Sequence, residues 1–85
     1  MKTVYKYQVP IDGTIKLPLG ATVLHVGEQA QSVCLWALVD TNQPLVGRRF
    51  MLVGTGHPIP ETATYHGTGH IMIGGLVFHV FEIPQ

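Results

Sequence analysis

The tetrapeptide Gly-Thr-Gly-His occurs twice, at Gly54–His57 and at Gly67–His70. Its residue types suit the capture of an anion. Glycine-rich backbone can turn successive N–H groups inward and form a concave nest for phosphate. The hydroxyls of Thr55 and Thr68 would add donors, and His57 and His70 would add further donors or stack on a base. A plainer reading uses the same residues: the glycines supply positive φ to two turns and nothing more. Neither copy has the GxxxxGK(S/T) pattern of a phosphate loop set between strand and helix, so nucleotide hydrolysis is not indicated.

Arg48 and Arg49 are the only arginines. Adjacent strand residues point to opposite faces, so one pocket cannot receive both. Either guanidinium could grip a phosphate or carboxylate with paired N–H groups. The other reading is an arginine held in solvent. Trp36, Tyr5 and Tyr7 offer rings on which a nucleobase could stack, or they anchor a core or an interface. The candidate ligand-binding set is therefore Trp36, Arg48, Arg49, Thr55, His57, Thr68 and His70, and the ligand it fits is small and phosphate-containing.

Catalytic chemistry lacks players. Five histidines (His25, His57, His66, His70 and His79) invite a metal. No His-Glu-x-x-His, Cys–His pair or matching carboxylate accompanies them, so neither a metal nor a cofactor is expected. His79 lies in an apolar strand and reads as a hydrogen-bonded core histidine. Ser32, the only serine, lies in no GxSxG elbow. Cys34 sits among apolar residues, where a thiolate is disfavoured. The five acids form no paired-carboxylate signature. The expectation is a binding protein, not an enzyme.

The elements that would position these residues are strands. Apolar residues alternate with period two, and Gly, Pro and Asn punctuate them. Strands are expected at Thr3–Val9, Thr14–Leu17, Ala21–Val26, Ser32–Val39, Arg48–Val53, Ala63–His66, His70–Ile73 and Leu76–Glu82. Asp12-Gly13, Gly27–Gln31, Asp40–Pro44, Gly67–Gly69 and Gly74-Gly75 are the expected turns, and Gly54–Glu61 is an ordered loop, because Pro58 and Pro60 remove donors. In Ala21–Val26 the alternation sets Val23 and His25 against Thr22, Leu24 and Val26. Ser32–Val39 and Leu76–Glu82 are apolar on both sides, which requires cover on both faces. Seven or eight short strands in one 85-residue domain imply an all-β fold, a small antiparallel β-sandwich or barrel-like domain.

Size and composition bound the partners. Charged residues are 12% of the chain, against about 25% in ordinary domains. A small domain with so little charge is expected to bury part of its surface against copies of itself, as a homo-oligomer. The alternative is a neutral surface of Thr, Gln, Gly and His. The formal net charge is zero and no basic stripe exists, so duplex nucleic acid is not an expected partner. No apolar run approaches the roughly 20 residues of a membrane span. With a single cysteine and no apolar leader core near Met1, an intracellular protein is expected.

Several blocks together carry a resemblance: Val4-Tyr5-Lys6-Tyr7, Leu35-Trp36-Ala37-Leu38-Val39-Asp40, Phe50–Pro58 ending in GTGHP, and Leu76–Glu82. The combined pattern, which spans nearly the whole chain, resembles a family of small tailed-phage or prophage proteins without assigned function. The resemblance implies a phage accessory protein in the cytoplasm of an infected bacterial host. In gross design the chain also resembles the compact oligomers, called sponges, that sequester cyclic nucleotide signals of bacterial defence. The expected function is such sequestration without catalysis. Two alternatives stand beside it: a protein-binding inhibitor of a host defence factor such as a CRISPR effector or nuclease, and a minor phage structural protein.

Overall fold

Period-two alternation carries through the whole chain. The computed structural model describes residues 1–71 and 73–84. Seven strands form among the described residues: β1 (Lys2–Gln8), β2 (Asp12–Pro18), β3 (Thr22–Gln29), β4 (Ser32–Asp40), β5 (Leu45–Gly54), β6 (Thr64–Ile71) and β7 (Leu76–Ile83). A kinked turn at Ile73–Gly75, with Gly74 at φ of 82° outside the helical range, joins the last two. Every pairing is antiparallel. The strands build a three-stranded sheet of order β1-β4-β3 and a four-stranded sheet of order β2-β5-β7-β6.

The sheets stack as a sandwich-like pair around Phe50, Leu17, Leu35, Val39 and Val80, all fully buried. Burying each such side chain contributes roughly 1.5–3 kcal/mol, so this layer decides the fold. The two strands with double apolar faces, β4 and β7, are both interior to their sheets. β4 buries Val33, Leu35, Ala37 and Val39 against the other sheet. This chain covers the opposite side of β4 only in part: Cys34 is buried, Trp36 half-buried and Leu38 exposed. Within the chain the expected second cover reaches Cys34 and stops short of Leu38.

Four local expectations are corrected. Asp12 and Gly13 do not turn the chain; they begin β2, opposite Met51 and Phe50. The Asp12 carboxylate takes both a guanidinium N–H and its neighbour from Arg49 on β5, and cross-strand pairing outweighs turn propensity. The β3–β4 turn shrinks from Gly27–Gln31 to Ala30-Gln31, whose φ of 52° and 63° match the twist of a two-residue hairpin. In β3 the register shifts between Val23 and His25. Leu24 bulges outward, so Val23 and Val26 share the inner face, opposite Ala37 and Leu35.

The second glycine motif also differs from expectation. Two short strands flanking Gly67–Gly69 are replaced by the single strand β6, with a bulge between Tyr65 and Gly67. Met72, part of that expectation, lies outside the described residues. The glycines serve packing. A Cβ on Gly67 would stand 2.7 Å from Cβ of Val26, and one on Gly69 would stand 3.0 Å from Cγ1 of Val33. Bare backbone lets β6 pass close beneath β3 and β4.

Candidate functional site

The inner side of the four-stranded sheet carries one charged cluster. Cross-strand pairing puts Arg48 beside Ile15 on β2, and Phe50 beside Glu82 on β7. Arg48 therefore shares the face of buried Phe50, and its Cζ lies 5.8 Å from that ring's centre. Arg48 Nε donates to Glu82 Oε2 at 2.7 Å and Nη2 donates to Oε1 at 2.8 Å. Nη1 donates to the carbonyl of Ala21 at 2.7 Å. His66 Nε2 lies 2.8 Å from Glu82 Oε1; a carboxylate only accepts, so that nitrogen carries the hydrogen. The Arg48 hydrogen bonds hold Glu82 below the ordinary carboxylate range, against the opposing effect of burial, with His66 assisting. The same bonds raise Arg48 above its ordinary value.

Arg49 faces the opposite way, as adjacent strand residues must. It donates from Nε to Asp12 Oδ1 at 2.9 Å and from Nη2 to Oδ2 at 2.8 Å. These hydrogen bonds lower Asp12. Both arginines singled out from the sequence are thus engaged with carboxylates of this chain, in separate places. Trp36 lies on the outer face of the other sheet, its ring 5.6 Å from that of His25.

The two Gly-Thr-Gly-His copies take different forms but meet. The first is a turn at the end of β5. His57 N donates to the carbonyl of Gly54 at 3.1 Å, and Gly56 has φ of 88°, the signature of a type II turn. That closing bond leaves the N–H groups of Thr55 and Gly56 outside the turn's own hydrogen bonding. The second copy is strand, paired with β7: Thr68 opposite His79, Gly69 opposite Phe78, His70 opposite Val77. A double nest is therefore not formed; one copy is turn and one is ladder.

His79 joins them. Its Nε2 lies 2.9 Å from Thr55 Oγ1 and its Nδ1 lies 3.0 Å from Thr68 Oγ1. The Thr68 hydroxyl lies 2.7 Å from the hydroxyl of Tyr65. A neutral imidazole donates from one nitrogen and accepts at the other. One threonine therefore donates to the ring and the other accepts from it, which gives the chain Tyr65–Thr68–His79–Thr55 a direction. Beside it opens a cleft of about 390 Å3, lined by Gly54, Thr55, His57, Gly75, Leu76, Val77 and Phe78. The glycine turn of the first motif forms one wall and the Gly74-Gly75 turn, with φ of 82° and 63°, ends at another.

Four of the seven sequence candidates, Thr55, His57, Thr68 and His70, thus gather around the segment Val77–His79. Arg48, Arg49 and Trp36 lie elsewhere. Sequence reasoning missed His79 as the bridge. Its polar ring inside an apolar strand was the available signal, but it pointed to the core; the side chain lies on the outer face with both nitrogens hydrogen-bonded. Among the described residues no group of three or more His, Cys, Asp or Glu side chains is placed to hold a metal ion.

A family model described as a domain of unknown function, DUF7352, matches residues 1–85, and the chain belongs to that family. Neither a curated protein nor a solved structure matches it.

Proposed function

We propose that this DUF7352 protein is a non-catalytic binding protein that captures a small phosphate-bearing ligand in the cleft beside His79. The ligand class we assign is a cyclic nucleotide signal of bacterial defence, in keeping with the resemblance of the sequence to small phage proteins. In that role it acts in the cytoplasm of the infected host. One observation carries the reading: side chains from both Gly-Thr-Gly-His copies converge on one imidazole, and one of them, Thr55, also lines a cleft of about 390 Å3, a size within the usual range for small ligands.

The chemistry of the groups favours holding over cleaving. Thr55 stands against an imidazole, as an attacking hydroxyl does in a nucleophilic triad. The far nitrogen of that ring meets the Thr68 hydroxyl, not a carboxylate, so no acid orients the ring or stabilises an imidazolium. With Arg48 and Arg49 already paired, phosphate contact falls to the Thr55 hydroxyl, the N–H groups of Thr55 and Gly56, and His57. Isothermal titration against a panel of cyclic dinucleotides and nucleotide derivatives tests this. Saturable heat from a member of the panel is expected; no heat from any member at micromolar protein would reject it.

A second reading, a surface for copies of itself or for a host defence protein, is favoured by the partly uncovered face of the three-stranded sheet. Val4 and Leu38 are paired side by side there next to Trp36, and they are 48% and 37% exposed. Native mass spectrometry separates the cases. Self-association gives multiples of one mass, and a host partner gives a second mass in pull-downs.

A further inference from the structure

We infer that the captured ligand is held in two parts, its phosphate at the Thr55–His57 turn and a neutral heterocyclic ring in a second cleft at the adjoining end of the sandwich. This inference rests on the function just proposed and adds the second half of the site.

The end cleft also measures about 390 Å3, and Leu76 and Phe78 line it as well as the motif cleft. The two openings therefore share a wall. Leu76 and Phe78 project to one side of β7 while Val77 projects to the other, so a ligand lying astride this segment reaches both. The apolar walls of the end cleft come from Val9, Pro10, Leu52, Ile71, Leu76 and Phe78. The wall at Val9 is tied down, because its N–H donates to the carbonyl of Val33 at 2.9 Å.

Two features choose the occupant. Among the described residues lining the cleft there is no Lys, Arg, His, Asp or Glu. A phosphate moved there would lose its hydration with no charge to replace it, so the charged part of a ligand belongs outside, at the turn. The lining is not uniformly apolar, however. Gln8 and Ser32 belong to it, and Gln8 Nε2 donates to Ser32 Oγ at 3.5 Å. That bond is at the long limit of a real hydrogen bond. It leaves the amide able to donate and accept at the edge of a ring. A plain alkyl chain would cover these groups without satisfying them, at a cost. A nucleobase satisfies them and can lie against Phe78, the single aromatic residue of the described lining. The ligand class is a nucleoside phosphate, with the base in the end cleft.

The test measures binding of the cyclic dinucleotides of the panel, of their parent nucleosides and of inorganic phosphate to three proteins: the wild type, Leu52→Trp, which fills the end cleft, and Gln8→Ala, a change at an exposed strand position that leaves the core intact. Folding of each variant is checked by circular dichroism. The inference expects dinucleotide affinity to fall about tenfold or more in both variants, the scale of a lost base-stacking contact, with the affinity for inorganic phosphate unchanged. Should Leu52→Trp fail to fold, Gln8→Ala and competition by the nucleoside decide. Dinucleotide binding that is equal in wild type and Gln8→Ala, with no competition by the nucleoside, overturns the two-part site and leaves the proposed function standing. No binding of any dinucleotide to the wild type overturns both.

Discussion

Two polar clusters share strands β6 and β7 and face opposite ways. On the inner side, Arg48, Glu82 and His66 form a charged group whose members are largely shielded: the Arg48 and Glu82 side chains are 22% and 21% exposed. On the outer side, Tyr65, Thr68, His79 and Thr55 form a chain of hydroxyls around one imidazole, open to solvent at the Tyr65 and Thr55 ends. The contrast follows from what burial demands. A shielded charge must be saturated by fixed partners or its desolvation goes uncompensated, so the inner cluster is locked and structural. Neutral hydroxyls at the surface can exchange a partner for water or for a ligand at little cost. The outer chain is therefore the cluster free to exchange a partner.

The largest expected effect comes from a substitution that disturbs both clusters at once. Gly67→Val drives a branched side chain into Val26 where even a Cβ would stand at 2.7 Å. β6 carries residues of both clusters, so both shift. Overpacking of this kind is expected to lower stability by about 3 kcal/mol or more, read by urea denaturation. Full stability of the valine variant would show that β6 does not pass so close to β3.

Glu82→Gln separates the clusters. It keeps the shape of the side chain but removes the charge that pairs Arg48, at an expected cost of about 2 kcal/mol near neutral pH, the range for hydrogen bonds to a charged group. The pH dependence has a definite sign. Glu82 is lowered in the folded protein from its ordinary 4.5. Its contribution is complete above pH 4.5 and is lost as pH falls through the lower folded value. The gap between wild type and Glu82→Gln should close on acidification, while Asp12 and Asp40, also lowered, act alike in both proteins. A gap that is constant with pH would mean Arg48 and Glu82 do not interact as a charged pair.

Thr68→Val should cost about 1 kcal/mol or less, since a neutral hydrogen bond at a partly open site is replaced by water. Its effect on ligand affinity should exceed its effect on stability, the reverse of Glu82→Gln. The smallest effect is expected of Arg49→Ala. The Arg49–Asp12 pair is exposed, at 44% and 42% for the two side chains, and surface pairs contribute little. A melting temperature indistinguishable from wild type is the expected reading, and a clear fall would assign the pair a structural role.

Particular residues mark how far the sequence could be read. The double apolar faces of β4 and β7 identified the interior strand of one sheet and an interior strand of the other, because only strands flanked on both edges sustain such patterns. The opposed directions of Arg48 and Arg49 follow from strand geometry alone. Turn propensity failed at Asp12-Gly13, where backbone pairing with Met51 and Phe50 of a distant strand extends β2, a partner that local reasoning cannot see. It failed again at Gly67–Gly69, where glycine answers to the proximity of Val26 and Val33, a contact between distant segments. The convergence of Thr55 and Thr68 on His79 was hidden for the same reason: it depends on the register of β6 against β7, which the bulge at His66 resets.

Contact between the outer chain and a ligand is the central proposal. Its most direct test is NMR of protein labelled with nitrogen-15 in the histidine rings, titrated with a cyclic dinucleotide. The ring signals of His57 and His79 should move together and saturate, while those of His25, tilted against Trp36, and His66, held by Glu82, stay in place. A dinucleotide that binds without moving His57 and His79, or that moves His66 instead, would contradict the account.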